Sequence, residues 1–327
     1  MKLALYLPNF RDKVTVSELV DLAQLADELG FDSIWTLERI AVPEASDRQE
    51  LTYPFGFMKE FPRALPVMSR GEFFDGYPLI PYLAAITKRV RLGMSVMDTP
   101  YRPPAVVAAE IAVWDHLSGG RINVGVGSGW MIEEFQATGA GHLHAKRNQH
   151  VRETIEVFKG IWTNELFEYH GEFVSFQKCG FGAKPVQKPH PPLYNGGIVE
   201  PNLTARAIAK YGLKGWIGIQ DTPESVVRWR SAIKEELEKS GSPLSMDDVE
   251  ISSMIFFEIA HEKTDQTPKG KGSNILIGTV EQIADNLKRL KEAGLTRPLL
   301  WPPFKTPTAK VIGDLRTLAD KIWPKVG

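Results

Sequence analysis

The stretch Leu117-Ser118-Gly119-Gly120-Arg121-Ile122-Asn123-Val124-Gly125-Val126-Gly127-Ser128-Gly129-Trp130 decides the fold, because it sets a helix end, a strand and a glycine loop in that order. Upstream, Ala105 to Leu117 carries apolar residues at helical spacing and stops at Gly119 and Gly120, residues that close a helix in the left-handed conformation at little cost. Ile122 to Val126 reads as a short buried strand. Gly125, Gly127 and Gly129 then remove side chains at its carboxyl end, where a backbone can approach a flat ring or a phosphate.

Working outward, the chain repeats this strand-and-helix unit about eight times. Leu3 to Leu7 feeds a helix from Ser17, its expected cap, to Leu29 before Gly30. Ser33 to Thr36 is followed late by a helix near Pro78 to Thr87, and Val90 to Met97 by one from Pro103 to Leu117. Ile122 to Val126 leads to Arg147–Trp162 and then to a hairpin, Phe167 to Phe176, turning around His170-Gly171. Pro192–Tyr194 precedes a Pro201–Tyr211 helix, and Gly215–Ile219 a Pro223–Lys239 helix. Val249–Ile259 precedes Val280–Ala293, and Pro298–Trp301 precedes Ala309–Ile322. Such a series predicts an α/β chain folded as a closed (β/α)8 TIM barrel, with a long lid insertion after strand 2 and a short hairpin insertion after helix 4. No repeat or linker divides it, so residues 1–327 read as a single domain with the lid at about 37–77.

Composition narrows the class. With 43% hydrophobic and 24% charged residues the chain suits a globular enzyme with a large core. A formal net charge of -1 gives no bulk attraction to nucleic acid or to an anionic membrane. The single Cys179 excludes an intramolecular disulfide framework and a thiolate zinc cage. The amino-terminal Met1-Lys2-Leu3-Ala4-Leu5-Tyr6-Leu7-Pro8 is too short an apolar run for a signal segment, and no run is long enough to span a membrane. A cytoplasmic protein is expected. His142, His144 and His150 cluster without a carboxylate or cysteine to complete a ligand set, so no metal is expected. The Gly125-x-Gly127-x-Gly129 run lacks the Rossmann spacing, and no Gly-x-Ser-x-Gly elbow exposes a nucleophile.

In such barrels chemistry sits in the loops after the strands. The longest, Leu37 to Tyr77, holds Tyr53, Phe55, Phe57, Phe73 and Phe74, too apolar for a solvated linker and suited to a substrate lid.

Several motifs together carry a resemblance: Gly30-Phe31-Asp32-Ser33-Ile34-Trp35, the Leu117–Trp130 stretch, Glu134-Phe135, Gly139, Lys184-Pro185-Val186-Gln187 with Pro191-Pro192, and Gly278-Thr279-Val280. The chain resembles the luciferase-like monooxygenase superfamily over nearly its whole length. Glu38-Arg39, Pro43 and the long lid are most similar to the F420-dependent branch. The resemblance implies a TIM barrel that binds coenzyme F420 or, alternatively, reduced FMN. It places the ring against the ends of the third and fourth strands, at Ser95, Val96 and Met97, with a non-prolyl cis peptide at Ser95-Val96, and at Gly127, Ser128 and Gly129. Asn195, Gly196 and Gly197 match the family's phosphate loop, and Thr279 after Gly278 suits a helix cap with its positive end toward the ligand.

Where many superfamily members carry an acidic residue and a histidine after the second strand, this chain has Glu38-Arg39. Arginine is no general base near neutral pH. The expected catalytic pair is therefore Arg39 gripping an anionic substrate or reduced cofactor, oriented by Glu38. The implied activity is F420-dependent hydride transfer involving a small, largely apolar organic substrate. The alternatives are a two-component FMN-dependent monooxygenase using O2 and a catalytically inactive cofactor-binding protein. A homodimer and a separate flavin or F420 reductase are the expected partners, with apolar faces on the Pro78–Thr87 or Pro103–Leu117 helices available for the dimer.

Overall fold

A computed structural model describes residues 1–10, 14–41, 73–196, 201–265 and 275–327. Its strands are β1 (Ala4–Tyr6), β2 (Ser33–Thr36), β3 (Arg91–Asp98), β4 (Ile122–Gly127), β5 (Leu166–His170), β6 (Ser175–Gly180), β7 (Leu193–Gly196), β8 (Gly215–Ile219), β9 (Glu250–Ile259), β10 (Leu276–Gly278) and β11 (Arg297–Trp301). The helices are α1 (Val16–Glu28), α2 (Gly76–Ile86), α3 (Pro104–Ser118), α4 (Ile132–Ala137), α5 (Arg147–Thr163), α6 (Pro201–Tyr211), α7 (Pro223–Ser240), α8 (Val280–Ala293), α9 (Thr308–Thr317) and α10 (Trp323–Val326).

The parallel order β1-β2-β3-β4-β7-β8-β9-β11 closes on itself, because β11 pairs with β1 and β8 with β9. These are the eight strands that the apolar runs mark, and the structure is a (β/α)8 TIM barrel. β10, absent from the sequence reading, extends the sheet by pairing with Phe257–Ile259, beyond the Ser252–Phe256 stretch that β11 occupies. The antiparallel β5–β6 hairpin stands apart as the expected insertion, its turn lying at residues 171–174 rather than at His170-Gly171.

Local chemistry sets the element ends. α1 starts earlier than expected because Thr15, not Ser17, is its cap: Thr15 accepts from the Glu18 N–H at 3.3 Å and Glu18 accepts from the Thr15 N–H at 2.8 Å. Asp75 caps α2, which moves its start ahead of Pro78. α3 ends in the left-handed pair Gly119 (φ 67°) and Gly120 (φ 84°), as the opening stretch predicts. The short α4 breaks the interval between β4 and α5 and was not marked by any periodicity.

Burial falls into two layers. Leu5, Ile34, Leu92, Val124 and Ile255 point outward against the helices, whereas Tyr6, Trp35, Tyr194, Ile217, Met254 and Trp301 fill the barrel. Gly93 leaves space for Trp35, since a Cβ there would lie 2.7 Å from Trp35 Cζ3. Inside the barrel, Arg297 bonds Glu250 at 2.8 Å and Asp32 at 3.0 Å, so a buried cation is matched.

The two stems of the long excursion after β2 meet on one side chain. Asn9 Nδ2 donates to the Leu37 carbonyl at 2.8 Å and the Phe74 carbonyl at 2.7 Å, and Asn9 Oδ1 accepts from the Leu37 N–H at 3.0 Å. Fully buried, Asn9 satisfies three backbone groups where chain leaves and re-enters the barrel. Tyr53, Phe55, Phe57 and Pro43 lie outside the described residues. No helix among the described residues is long and apolar enough to cross a membrane.

Candidate active site

The barrel mouth is built on β3, where the alternation of sides breaks. Leu92 and Met94 face the helices and Gly93 faces the interior, so a regular strand would send Val96 outward too. The ladder to β4 instead shifts between Met94 and Met97, and the Ser95–Val96 peptide is cis, where the resemblance places it. After the shift Val96 belongs to the interior cluster and Met97 to the outer one. Met97 consequently points away from the mouth, toward Ile111 and Trp114, and does not line the site.

Two glycines accommodate Val96 and a third the strand carrying it. A Cβ at Gly127 would overlap Val96 Cγ2, and one at Gly196 would overlap Val96 Cγ1. At Gly125 it would overlap the Met94 carbonyl oxygen. The gaps expected to seat a ring or a phosphate directly thus seat a valine from the neighbouring strand. Val96, half-buried, is what the mouth presents. Next to it, Ser95 accepts from the Tyr6 hydroxyl through its carbonyl at 3.2 Å, while its buried Oγ has no hydrogen-bond partner among the described residues.

The other expected contacts are only partly brought together. Ser128 is half-buried, and Gly129 takes φ 67° against Tyr101 and Phe135. Asn195 Nδ2 reaches Thr204 Oγ1 at 3.5 Å, tying β7 to α6, and Gly197 lies outside the described residues. Thr279 caps α8 as expected, accepting from the Gln282 N–H at 3.4 Å. With Ile259, His261, Lys321 and Lys325 it lines a groove of about 560 Å³, which shares no lining residue with the Val96 wall. Phe73 joins an aromatic cluster with Phe10 at 5.6 Å, and Phe10, Trp301 and Phe256 all contact Phe304. Phe74 turns instead to the outer layer and is not a lid residue over the mouth.

The Glu38-Arg39 pair does not exist as a pair. Successive residues of extended chain point to opposite sides. Glu38 pairs with Arg102 and accepts from the Asp98 N–H. Arg39 pairs with Glu134, and its guanidinium lies 5.8 Å from the Phe10 ring and 5.6 Å from the Trp130 ring. Glu134 also accepts from the Ile40 N–H at 2.9 Å, the Ala41 N–H at 3.2 Å and the Tyr101 hydroxyl at 3.1 Å. Arg102 reaches Asp75 at 3.3 Å and lies 3.8 Å from the Tyr77 ring. Burial, together with Asp98 and Asp75, pushes the Glu38 carboxyl up to about 8 against the pull of Arg102. Burial and Glu134 push Asp98 up to about 7 although Arg39 opposes them.

Asp98, Tyr101 and Arg102 were missed in the sequence, and Glu134 was noticed only as part of a resemblance. Their signal was legible: polar and charged residues directly follow the apolar β3 run, at the end of a barrel strand where packing alone does not call for them.

Comparison with known proteins agrees with the barrel fold. The family model described as luciferase-like monooxygenase matches residues 1–267. Over 327 residues the chain is 25% identical to the oxygenase component of the flavin-dependent trigonelline monooxygenase of Acinetobacter baylyi, covering 95% of this chain and 80% of that protein. Its fold matches monooxygenase RslO1 of Streptomyces bottropensis with a TM-score of 0.78 at 19% identity, covering 100% of both chains. It also matches an F420-dependent secondary alcohol dehydrogenase, solved with an F420-acetone adduct, with a TM-score of 0.74 at 16% identity, covering 100% of this chain and 99% of that one.

Proposed function

The protein belongs to the luciferase-like monooxygenase family and is an oxidoreductase of that family; from that premise we propose that it transfers a hydride through coenzyme F420, to or from a small, largely apolar organic substrate. The observation that carries this reading is the Val96 platform. A half-buried aliphatic side chain, seated in the gaps at Gly127 and Gly196 beside a buried Ser95 hydroxyl with an open hydrogen bond, fits the face and edge of a flat, polar-rimmed ring. The cofactor, when bound, supplies the two-electron redox chemistry. The chain supplies the rest: Val96 supports the ring, and Ser95 offers a polar contact. Phe10, Phe73, Phe256, Trp301 and Phe304 offer an apolar wall that excludes water from the reacting substrate.

The geometry changes the role proposed for Arg39. Its charge is matched by buried Glu134, so gripping an anionic substrate would cost that pair. Arg39 is better read as a positioning residue, holding Phe10 and Trp130 at the mouth and leaving it suited to uncharged substrates. A second reading, an FMN-dependent monooxygenase supplied by a separate reductase, is favoured by the flavin-dependent relative that aligns along most of the chain. Titration with F420 and with reduced FMN, followed by absorbance, decides between them. Tight binding of F420 alone is expected, reduced FMN alone would establish the second reading, and binding of neither would overturn both.

A cytoplasmic homodimer completes the proposal. On α2, Tyr82 is 46% exposed, and on α3, Val106, Val113 and Leu117 are 52%, 49% and 61% exposed. The three α3 residues fall within one stripe of the helix at spacings of seven and four. Val113→Glu is expected to convert a dimer to monomers in sedimentation equilibrium. A wild-type monomer at micromolar concentration would remove the dimer from the proposal.

A further inference from the structure

Among the described residues the mouth holds more acid than base. In one connected buried cluster, Glu38, Asp75, Asp98 and Glu134 are four carboxyl groups, and Arg39 and Arg102 are two guanidinium groups. No lysine or histidine belongs to it among the described residues. Each guanidinium is engaged elsewhere: Arg39 by Glu134, and Arg102 by both Glu38 and Asp75. Among the described residues Asp98 is the carboxyl left without an ion-pair partner at contact distance. It is 8% exposed, and the backbone N–H of Gly129 faces it.

We propose that this cluster stores a transferable proton on Asp98 and delivers it to the reacting pair at the mouth. Three placements support the assignment. Asp98 is two residues beyond Val96 on β3, and its Oδ1 lies 3.3 Å from where a Cβ of Gly127 would stand, so its carboxyl sits beneath the glycine loop. Its own N–H donates to Glu38, which couples the two acids through one backbone group. The groups facing it come from several neighbouring elements: Glu38 and Arg39 after β2, Tyr101 and Arg102 after β3, and Glu134 on α4, with Asp75 at the start of α2 behind Arg102 and Glu38. Among the described residues two negative charges are in excess around the buried Glu38 and Asp98, so ionising every carboxyl is unfavourable, and protonation relieves it. The positions of Glu38 and Asp98, pushed up to about 8 and about 7, agree with this count.

The step asked of Asp98 is a proton transfer alone. Its carboxyl O–H bond breaks, and the same proton bonds to a substrate heteroatom made basic when two electrons pass from the reduced cofactor. Asp98 is left as a carboxylate within reach of the Arg39 field. In the reverse direction the carboxylate takes the proton back. This inference rests on the redox reading above, so its test begins without cofactor.

Infrared titration of the full-length protein should show a protonated-carboxyl band that fades as pH rises through about 7. The component fading near 7 should be lost in Asp98→Asn, leaving the Glu38 component that fades near 8, and both should be kept in Asp75→Asn. Denaturation at pH 6 should release about one more proton from the wild-type protein than from Asp98→Asn, because the other titrating groups contribute equally to both. In the loaded enzyme, Asp98→Asn should lower kcat by roughly 100-fold or more with little change in KM, and should remove the limb of the pH profile near neutrality. A wild-type protein with no carboxyl band titrating near 7, or a component near 7 that persists in Asp98→Asn, overturns the proposal whatever the cofactor titration shows.

Discussion

Replacing Glu134 by alanine is expected to destabilise the folded protein by about 3–5 kcal/mol, because it removes one partner of a buried ion pair and leaves the other. The side chain of Glu134 is 0% exposed and that of Arg39 is 4% exposed. The carboxylate also accepts the N–H groups of Ile40 and Ala41 and the Tyr101 hydroxyl, so the substitution strands four donors at once. Urea or thermal unfolding measures the loss. Removing both charges, in Arg39→Met with Glu134→Leu, should recover most of it, since an apolar pair of similar volume carries no desolvation penalty. Positioning of Phe10 and Trp130 should not recover, so turnover stays low in the double variant. A loss below about 1 kcal/mol for Glu134→Ala would mean that water reaches the pair, as it does at exposed ion pairs.

The second large effect is expected at Gly127. A methyl group there occupies the place of Val96 Cγ2, and a β-branched side chain in a packed barrel has no alternative rotamer to retreat to. Gly127→Ala should cost about 1–3 kcal/mol of stability and weaken cofactor binding at least tenfold, because the displaced valine is the proposed ring support. Val96→Ala should restore stability in the double variant without restoring affinity. The same rescue is expected for Gly196→Ala, whose added methyl meets the other branch of Val96. It should fail for Gly125→Ala, which meets the backbone oxygen of Met94 instead. Additive losses in the Gly127 and Val96 double variant would show that the two residues do not share one space.

These two sites mark where reading the sequence succeeds and where it stops. The eight strands are legible because parallel barrel strands are buried on both faces and leave short apolar runs, from Leu3–Leu7 to Pro298–Trp301. Helix ends with strong chemistry, such as Gly119-Gly120 and Thr279, are legible for the same local reason. The missing side chains at Gly125 and Gly127 are visible too. What fills them is not, since Val96 arrives from another strand through a register shift that leaves no compositional trace. Pairing of charges is the least legible feature. Glu38 and Arg39 are neighbours in sequence, yet their partners Arg102 and Glu134 are 64 and 95 positions away, a separation that only the closed barrel brings to contact. The cis peptide at Ser95-Val96 was reached through resemblance rather than through any property of those two residues.

Asn9 has a consequence of another kind. It fastens Leu37 and Phe74 to the first strand's loop, and the spacing between the two attachment points is therefore set by the barrel alone. Whatever chain runs between them can lengthen at a cost that grows only with the logarithm of its length. The barrel thus works as a socket: it holds both stems at a fixed separation, so a change of length between them leaves the register of the platform beneath untouched.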